Sequence, residues 1–140
     1  MVQSGWRHLP HDADVEIEAW GPELARAFEQ AAIAMTAVIT DPDTICARDQ
    51  IVVTLESKNP ERLLFDWLNA LVYEMDTRRM LFARFCVQID ENGLRADVWG
   101  ERLDVTRHAP AVGVKGATYT NLHVRWNAGR GWVVNDVVDV

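Results

Sequence analysis

Apolar residues return along this chain with two different periods, and each change of period marks the edge of an element. Val15, Ile17 and Ala19 fall on one face and Glu16, Glu18 and Trp20 on the other, the period-two signature of a half-buried strand. Gly21-Pro22 then supplies an N-cap and a first helical position, and Leu24, Ala27, Phe28, Ala31, Met35 and Val38 follow at three- and four-residue steps. The spacing predicts a helix over 22–39, stopped at Thr40-Asp41-Pro42 because proline disfavours helical geometry in the residue before it.

The cycle repeats. Ile51, Val53 and Leu55 alternate as a strand, and Asn59-Pro60 caps a helix whose stripe is Leu64, Trp67, Leu68, Leu71 and Met75. After Arg78-Arg79 the period returns to two: Leu81, Ala83, Phe85, Val87 and Ile89, a turn at Glu91-Asn92-Gly93, then Leu94, Ala96, Val98 and Gly100. This predicts a hairpin. A polar loop over 105–112 leads to a strand over 117–126, with Ala117, Tyr119, Leu122 and Val124 toward the core, and 127–131 connects it to a last strand over 132–140. Strand, helix, strand, helix and then hairpin-joined strands predict an α+β fold: a single-domain two-layer sandwich, two helices on a largely antiparallel or mixed sheet.

Size and composition agree. The 140 residues suit one compact core, with 49 % hydrophobic and 25 % charged residues as in ordinary globular proteins, and no linker or repeat divides residues 1–140. A formal charge of −7 argues against direct nucleic-acid binding. The longest uncharged run, Gln30 to Thr40, is well short of the roughly 20 apolar residues of a membrane span, and the start lacks a signal-peptide core, so a cytoplasmic protein is expected. Cys46 and Cys86, without ligand spacing, are expected to be reduced, packed thiols.

Three places could carry chemistry. His11-Asp12-Ala13-Asp14 reads as a turn or as a metal or proton-transfer site, carboxylates being hard ligands suited to calcium or magnesium. Asp139 lies in a valine-rich strand, where charge is costly unless paired or bound to a cation, or else is a solvated end residue; Asp136 points to the opposite face. Lys115, one of two lysines in an arginine-rich chain, is either ordinary surface or a compact point charge suited to phosphate. Phosphate loops, catalytic triads and zinc-helix motifs are absent from the sequence.

His11-Asp12-Ala13-Asp14-Val15, Ala19-Trp20-Gly21, the Ala-rich helix ending in Met35 to Asp41, Leu63-Leu64 with Trp67-Leu68, Trp99-Gly100-Glu101, His108, Val114-Lys115-Gly116-Ala117-Thr118-Tyr119 and Val138-Asp139-Val140 occur in an order and spacing that resembles the archease family. The sequence departs from the family pattern at Asp12, where threonine is usual, and at Gly116 and Thr120, where alanine and histidine are common. Glycine at 116 is expected to loosen the backbone beside Lys115.

The resemblance implies a non-catalytic protein cofactor that promotes guanylylation and repeated turnover of an RtcB-type RNA ligase in tRNA splicing and RNA repair. It implies a divalent-cation site, most simply calcium, with Asp14, Asp139 and a main-chain or terminal oxygen of Val140 as ligands, and Lys115 and His11 as functional neighbours. Asp41 is expected to cap a loop or support the site from behind. Two competing readings are a metal-dependent phosphoester hydrolase with His11 as base, and a chaperone-like modulator of a tRNA methyltransferase.

Overall fold

The computed structural model describes residues 2–140. Strand β1 (Gly5–His11) and strand β2 (Asp14–Gly21) form a hairpin whose turn holds Asp12 at φ 52. The hydrophobic pattern did not predict β1, in which exposed Arg7 and His8 stand side by side. Helix α1 (Leu24–Ile39) follows, N-capped by Glu23 without a side-chain hydrogen bond. The helix thus starts two residues later than Gly21-Pro22 suggests, because Gly21 stays in β2, paired with Trp132. Buried Ala27, Ala31, Ala32 and Ala34 line α1 together with Phe28 and Met35.

Asp41 caps the short 3-10 turn Pro42–Thr44, accepting from the Asp43 amide at 3.0 Å, which is the loop-capping role expected of it. Strand β3 (Asp49–Glu56) leads to helix α2 (Pro60–Arg78), where Asn59 accepts from the Arg62 amide at 2.9 Å and Arg79 closes the helix in the left-handed region, φ 54. Strands β4 (Met80–Asp90) and β5 (Gly93–Arg102) form the expected hairpin. Gly100 is required there: a Cβ on it would come within 1.9 Å of the Leu81 carbonyl oxygen.

The last third departs most from expectation. The stretch 105–112 contains a short helix, α3 (Val105–His108), capped by the Asp104 carboxylate on the Thr106 and Arg107 amides. The single strand expected over 117–126 is two, β6 (Gly116–Ala117) and β7 (His123–Asn127), before β8 (Gly131–Asp139). Both pair with β8, β6 at its end and β7 at its beginning, so the chain must turn between them. Asn121 in that turn has φ 53, and Tyr119 is 64 % exposed instead of facing the core.

All pairings are antiparallel, and the strands divide between two sheets: β1-β2-β8-β6 with β7 also on β8, and β3-β5-β4. The α+β reading holds, with two sheets in place of one. Helix α1 packs against β2 of the first sheet and β4 of the second, and α2 against β6 and β3, so each helix touches both sheets. At the β4 edge, Arg26 donates to the Val87 carbonyl at 2.7 Å and Glu29 accepts from the Val87 amide at 2.8 Å, giving α1 a polar grip on that strand. Cys46 and Cys86 are free but exposed, not packed: Cys46 follows the 3-10 turn and Cys86 points outward opposite Asp97.

Trp67 ties the core together. It is fully buried, stands edge-on to Phe85 and donates its indole N–H to the Phe28 carbonyl at 3.0 Å, so α2 reaches both α1 and the second sheet through one side chain. Trp67→Ala should lower the unfolding free energy by about 3–5 kcal/mol in urea titrations, a cavity plus an orphaned carbonyl. A loss under about 1 kcal/mol would mean that Trp67 is not a keystone of this core.

Candidate functional site

One end of the first sheet gathers the residues singled out from the sequence. The β1–β2 register sets His11 opposite Asp14, and β6–β8 sets Gly116 opposite Asp139. The β2–β8 register pairs Val15 with Val138, and continuing it by one residue sets Asp14 beside Asp139. His11, Asp14, Asp139 and Gly116 therefore form one row across four strands, with Lys115 next to it. Contacts close the row: the Val140 amide donates to Asp14 Oδ1 at 3.2 Å, and the Lys115 amide donates to the Asp139 carbonyl at 2.7 Å. His11, Asp14, Asp139 and Val140 are half-buried, whereas Lys115 and Asp12 are exposed.

Neither Asp14 nor Asp139 belongs to an ion pair among the described residues. Among those residues, too, no three or more His, Cys, Asp or Glu side chains are placed to hold a metal ion. A cation at this row would need main-chain oxygens besides the two carboxylates, a donor set of the all-oxygen kind that hard divalent cations take.

A second polar centre was not singled out as a site from the sequence. The Glu101 carboxylate, almost fully buried, accepts from Arg107 at 2.6 Å, from the Cys46 amide at 2.7 Å and from His108 at 3.0 Å. The Arg107 guanidinium leads these contacts in holding the Glu101 carboxyl well below the usual range. His108 Nδ1 accepts from the Asp104 amide at 2.9 Å, so its proton sits on Nε2 and is donated to Glu101. Thr40 also donates to the His108 carbonyl. This cluster joins the end of α1, the loop after it, β5 and α3, and its hydrogen bonds tie these parts of the chain to one another.

Two buried acids occupy opposite faces of the first sheet. Glu18 faces away from the core; burial raises its pKa, but hydrogen bonds from Arg130, Asn135 and Arg7 outweigh that and hold it at about 2. Asp136 lies opposite Ile17, between Val134 and Val138 on the core face, with no exposure. Both its carboxyl oxygens lack a hydrogen-bond partner. Burial, with the Glu16 charge adding to it, pushes the Asp136 carboxyl up to about 8, so it carries its proton at neutral pH. The sequence held a signal for it, a lone acid between valines at core spacing.

Comparison with known proteins finds a family model and relatives that match nearly the whole chain. The model of the Archease protein family (MTH1598/TM1083) matches residues 6–140. Protein archease of Sulfurisphaera tokodaii is 35 % identical over 132 residues, spanning 93 % of this chain and 94 % of its own. Protein archease of Aeropyrum pernix is 34 % identical over the whole length of both. The solution structure of Methanobacterium thermoautotrophicum protein 1598 superposes with a TM-score of 0.86 at 29 % identity, covering 97 % of this chain and 99 % of that one. A Thermotoga maritima crystal structure, described as an archease and possible chaperone, shares the fold with a TM-score of 0.59 at 16 % identity, covering 96 % of each chain.

The two buried acids set opposite pH dependences. Glu18 contributes stability above its ordinary value of 4.5 that is lost as pH falls toward 2. Asp136 binds a proton in the folded chain that the unfolded chain has released, so stability falls as pH rises from its ordinary value of 3.8 through about 8. Asp136→Asn removes that second dependence. The melting temperature of Asp136→Asn relative to the parent should therefore climb between pH 5 and 8; a constant difference would show Asp136 ionised in the fold.

Proposed function

The chain belongs to the archease family, and from that premise we propose that it is a non-catalytic activator of an RtcB-type RNA-splicing ligase. It promotes ligase guanylylation and repeated turnover, using a divalent cation, most simply calcium, at the Asp14–Asp139 row. The observation that carries this reading is the convergence of Asp14, Asp139, Val140 and Lys115 from three separate stretches of sequence onto one sheet end. In it, Asp14, Asp139 and an oxygen of Val140 hold the cation, which supplies a fixed positive charge at the sheet end. Lys115 keeps its ammonium in solvent, where a compact charge can meet phosphate or an acidic group of the ligase.

The net charge of −7 suits docking on a basic, RNA-binding partner, since opposite potentials speed encounter. No helix among the described residues is long and apolar enough to cross a membrane, which accords with a partner met in solution.

The test mixes the purified protein with the RtcB-type ligase of its own organism and follows ligase guanylylation and product per ligase. Stimulation beyond one turnover is expected. Phosphoester turnover by the protein alone would instead favour the hydrolase reading, in which His11, opposite Asp14, is the base. Stimulation of a tRNA methyltransferase in place of the ligase would favour the modulator reading.

Two variants probe the row. Asp14→Ala should weaken calcium binding tenfold or more in calorimetric titrations, about 1.4 kcal/mol, and unchanged affinity would remove Asp14 from the ligand set. Lys115→Ala should melt within about 0.5 kcal/mol of the parent, as exposed positions do, while losing ligase stimulation. Full stimulation by that variant would return Lys115 to the ordinary surface.

A further inference from the structure

Segment 115–118 is gripped from two sides. Toward β8, the Lys115 amide donates to the Asp139 carbonyl at 2.7 Å and the Thr118 amide to the Val137 carbonyl at 3.1 Å, with the Thr118 hydroxyl also on Val137 at 2.8 Å. Toward α2, the Ala117 amide donates to Asn69 Oδ1 at 3.0 Å. One helical turn earlier, the Phe65 ring stacks on Tyr119 with centroids 4.3 Å apart and planes 6° from parallel. Phe65 and Asn69 are four residues apart and share a face of α2, while Ala117 and Tyr119 are two residues apart on the gripped segment.

Gly116 fits this grip in an unexpected way. A Cβ on it would lie 2.9 Å from Asn69 Oδ1, and no other atom stands within 4 Å of that point beyond its chain neighbours. Its backbone is not in the left-handed region, which among the glycines holds only for Gly93 and Gly131. The glycine is thus explained by the space the Asn69 amide takes. The loosening expected of a glycine beside Lys115 is countered by ties on both sides.

We infer that Asn69 is a positioning residue: its side-chain oxygen, accepting from the Ala117 amide in space left open by Gly116, fixes the backbone that carries Lys115 against the Asp139 strand. This rests on the functional reading of Lys115 given above. Among the described residues the Asn69 side chain hydrogen-bonds the Ala117 amide and no group of the Asp14–Asp139 row. An acceptor is what that position needs, and the charge or size of the side chain beyond it is secondary. Without Asn69 the amide of Ala117 has to turn to water, and the two-residue strand β6 keeps only its β8 side.

The experiment compares Asn69→Ala, Asn69→Asp, Gly116→Ala and the Asn69→Ala/Gly116→Ala pair with the parent. The readouts are amide hydrogen exchange at residues 115–118, followed by NMR, and stimulation of ligase guanylylation. Asn69→Ala should speed exchange of the Ala117 amide at least tenfold and reduce stimulation, while Asn69→Asp, which keeps an acceptor on the same stem, restores both. Gly116→Ala should damage the parent but add nothing to Asn69→Ala, where the amide it collides with is gone. Unchanged Ala117 exchange in Asn69→Ala, or an Asn69→Asp protein as impaired as Asn69→Ala, overturns the inference. Lys115→Ala in the same series separates the two levels: if it stimulates fully, the functional reading of Lys115 fails, and the grip is judged on exchange alone.

Discussion

The register between β2 and β8 is the constraint on which the rest of this site depends. Strand side chains alternate with a period of two, so a slip by one residue would exchange every side chain between faces. Here both faces hold the register. On the core face Val15, Ile17 and Ala19 meet Val138, Asp136 and Val134; on the other, Glu18 meets Asn135, whose amide donates to it at 3.0 Å. A slip would drive Glu18 into the helices and strip it of Arg7 and Arg130 at once. The meeting of Asp14 with Asp139 is the end of the same ladder, so a contact between residues 125 positions apart follows from hydrophobic and ionic matching far from either carboxylate.

The acids of this chain also separate by what satisfies them. Glu18 has two guanidinium groups and an amide, Glu101 a guanidinium, an imidazole and a backbone amide, and Asp41, Asp90 and Asp104 cap turns or helix ends. Asp136 solves the problem of burial by holding its proton. Asp14 takes one backbone amide, and neither it nor Asp139 meets a cationic side chain among the described residues. These two acids, set side by side by the strand register, are the ones that the proposed cation would engage.

Much of the fold was legible because long elements with one buried face write a clean period into the sequence. Helix α2 is an instance: its stripe, the Asn59 cap and Pro60 at the first position all agree, and it runs Pro60–Arg78. The β4–β5 hairpin is another. What escaped was short or satisfied from a distance. β1 is an edge strand with exposed Arg7 and His8, and α3 is one turn held by Asp104. Strands β6 and β7 looked like one because their residues alternate across the turn between them; only β8, pairing with both, separates them. The proposed site residues Asp14, Asp139, Val140 and Lys115 stood out as isolated oddities and through family resemblance, whereas Asn69 did not. It sits next to Leu68 in a helix read for its apolar stripe, and nothing local tells that its amide reaches a backbone 48 positions on.

The division of labour between arginine and lysine follows from the same geometry. Arginines do the structural work that a planar, many-donor group does well: Arg7 and Arg130 on Glu18, Arg107 on Glu101, Arg84 over Trp99 at 4.6 Å and Arg130 over Trp20 at 4.4 Å. Each of those side chains loses its freedom to a partner inside the fold. Lys115 is the reverse case, a backbone tied to β8 beside a gripped segment, carrying an ammonium exposed to solvent. A fixed stem with a free tip confines the charge to a small volume without engaging it, so the ordering cost of bringing it to an incoming anionic group is already partly met by the fold.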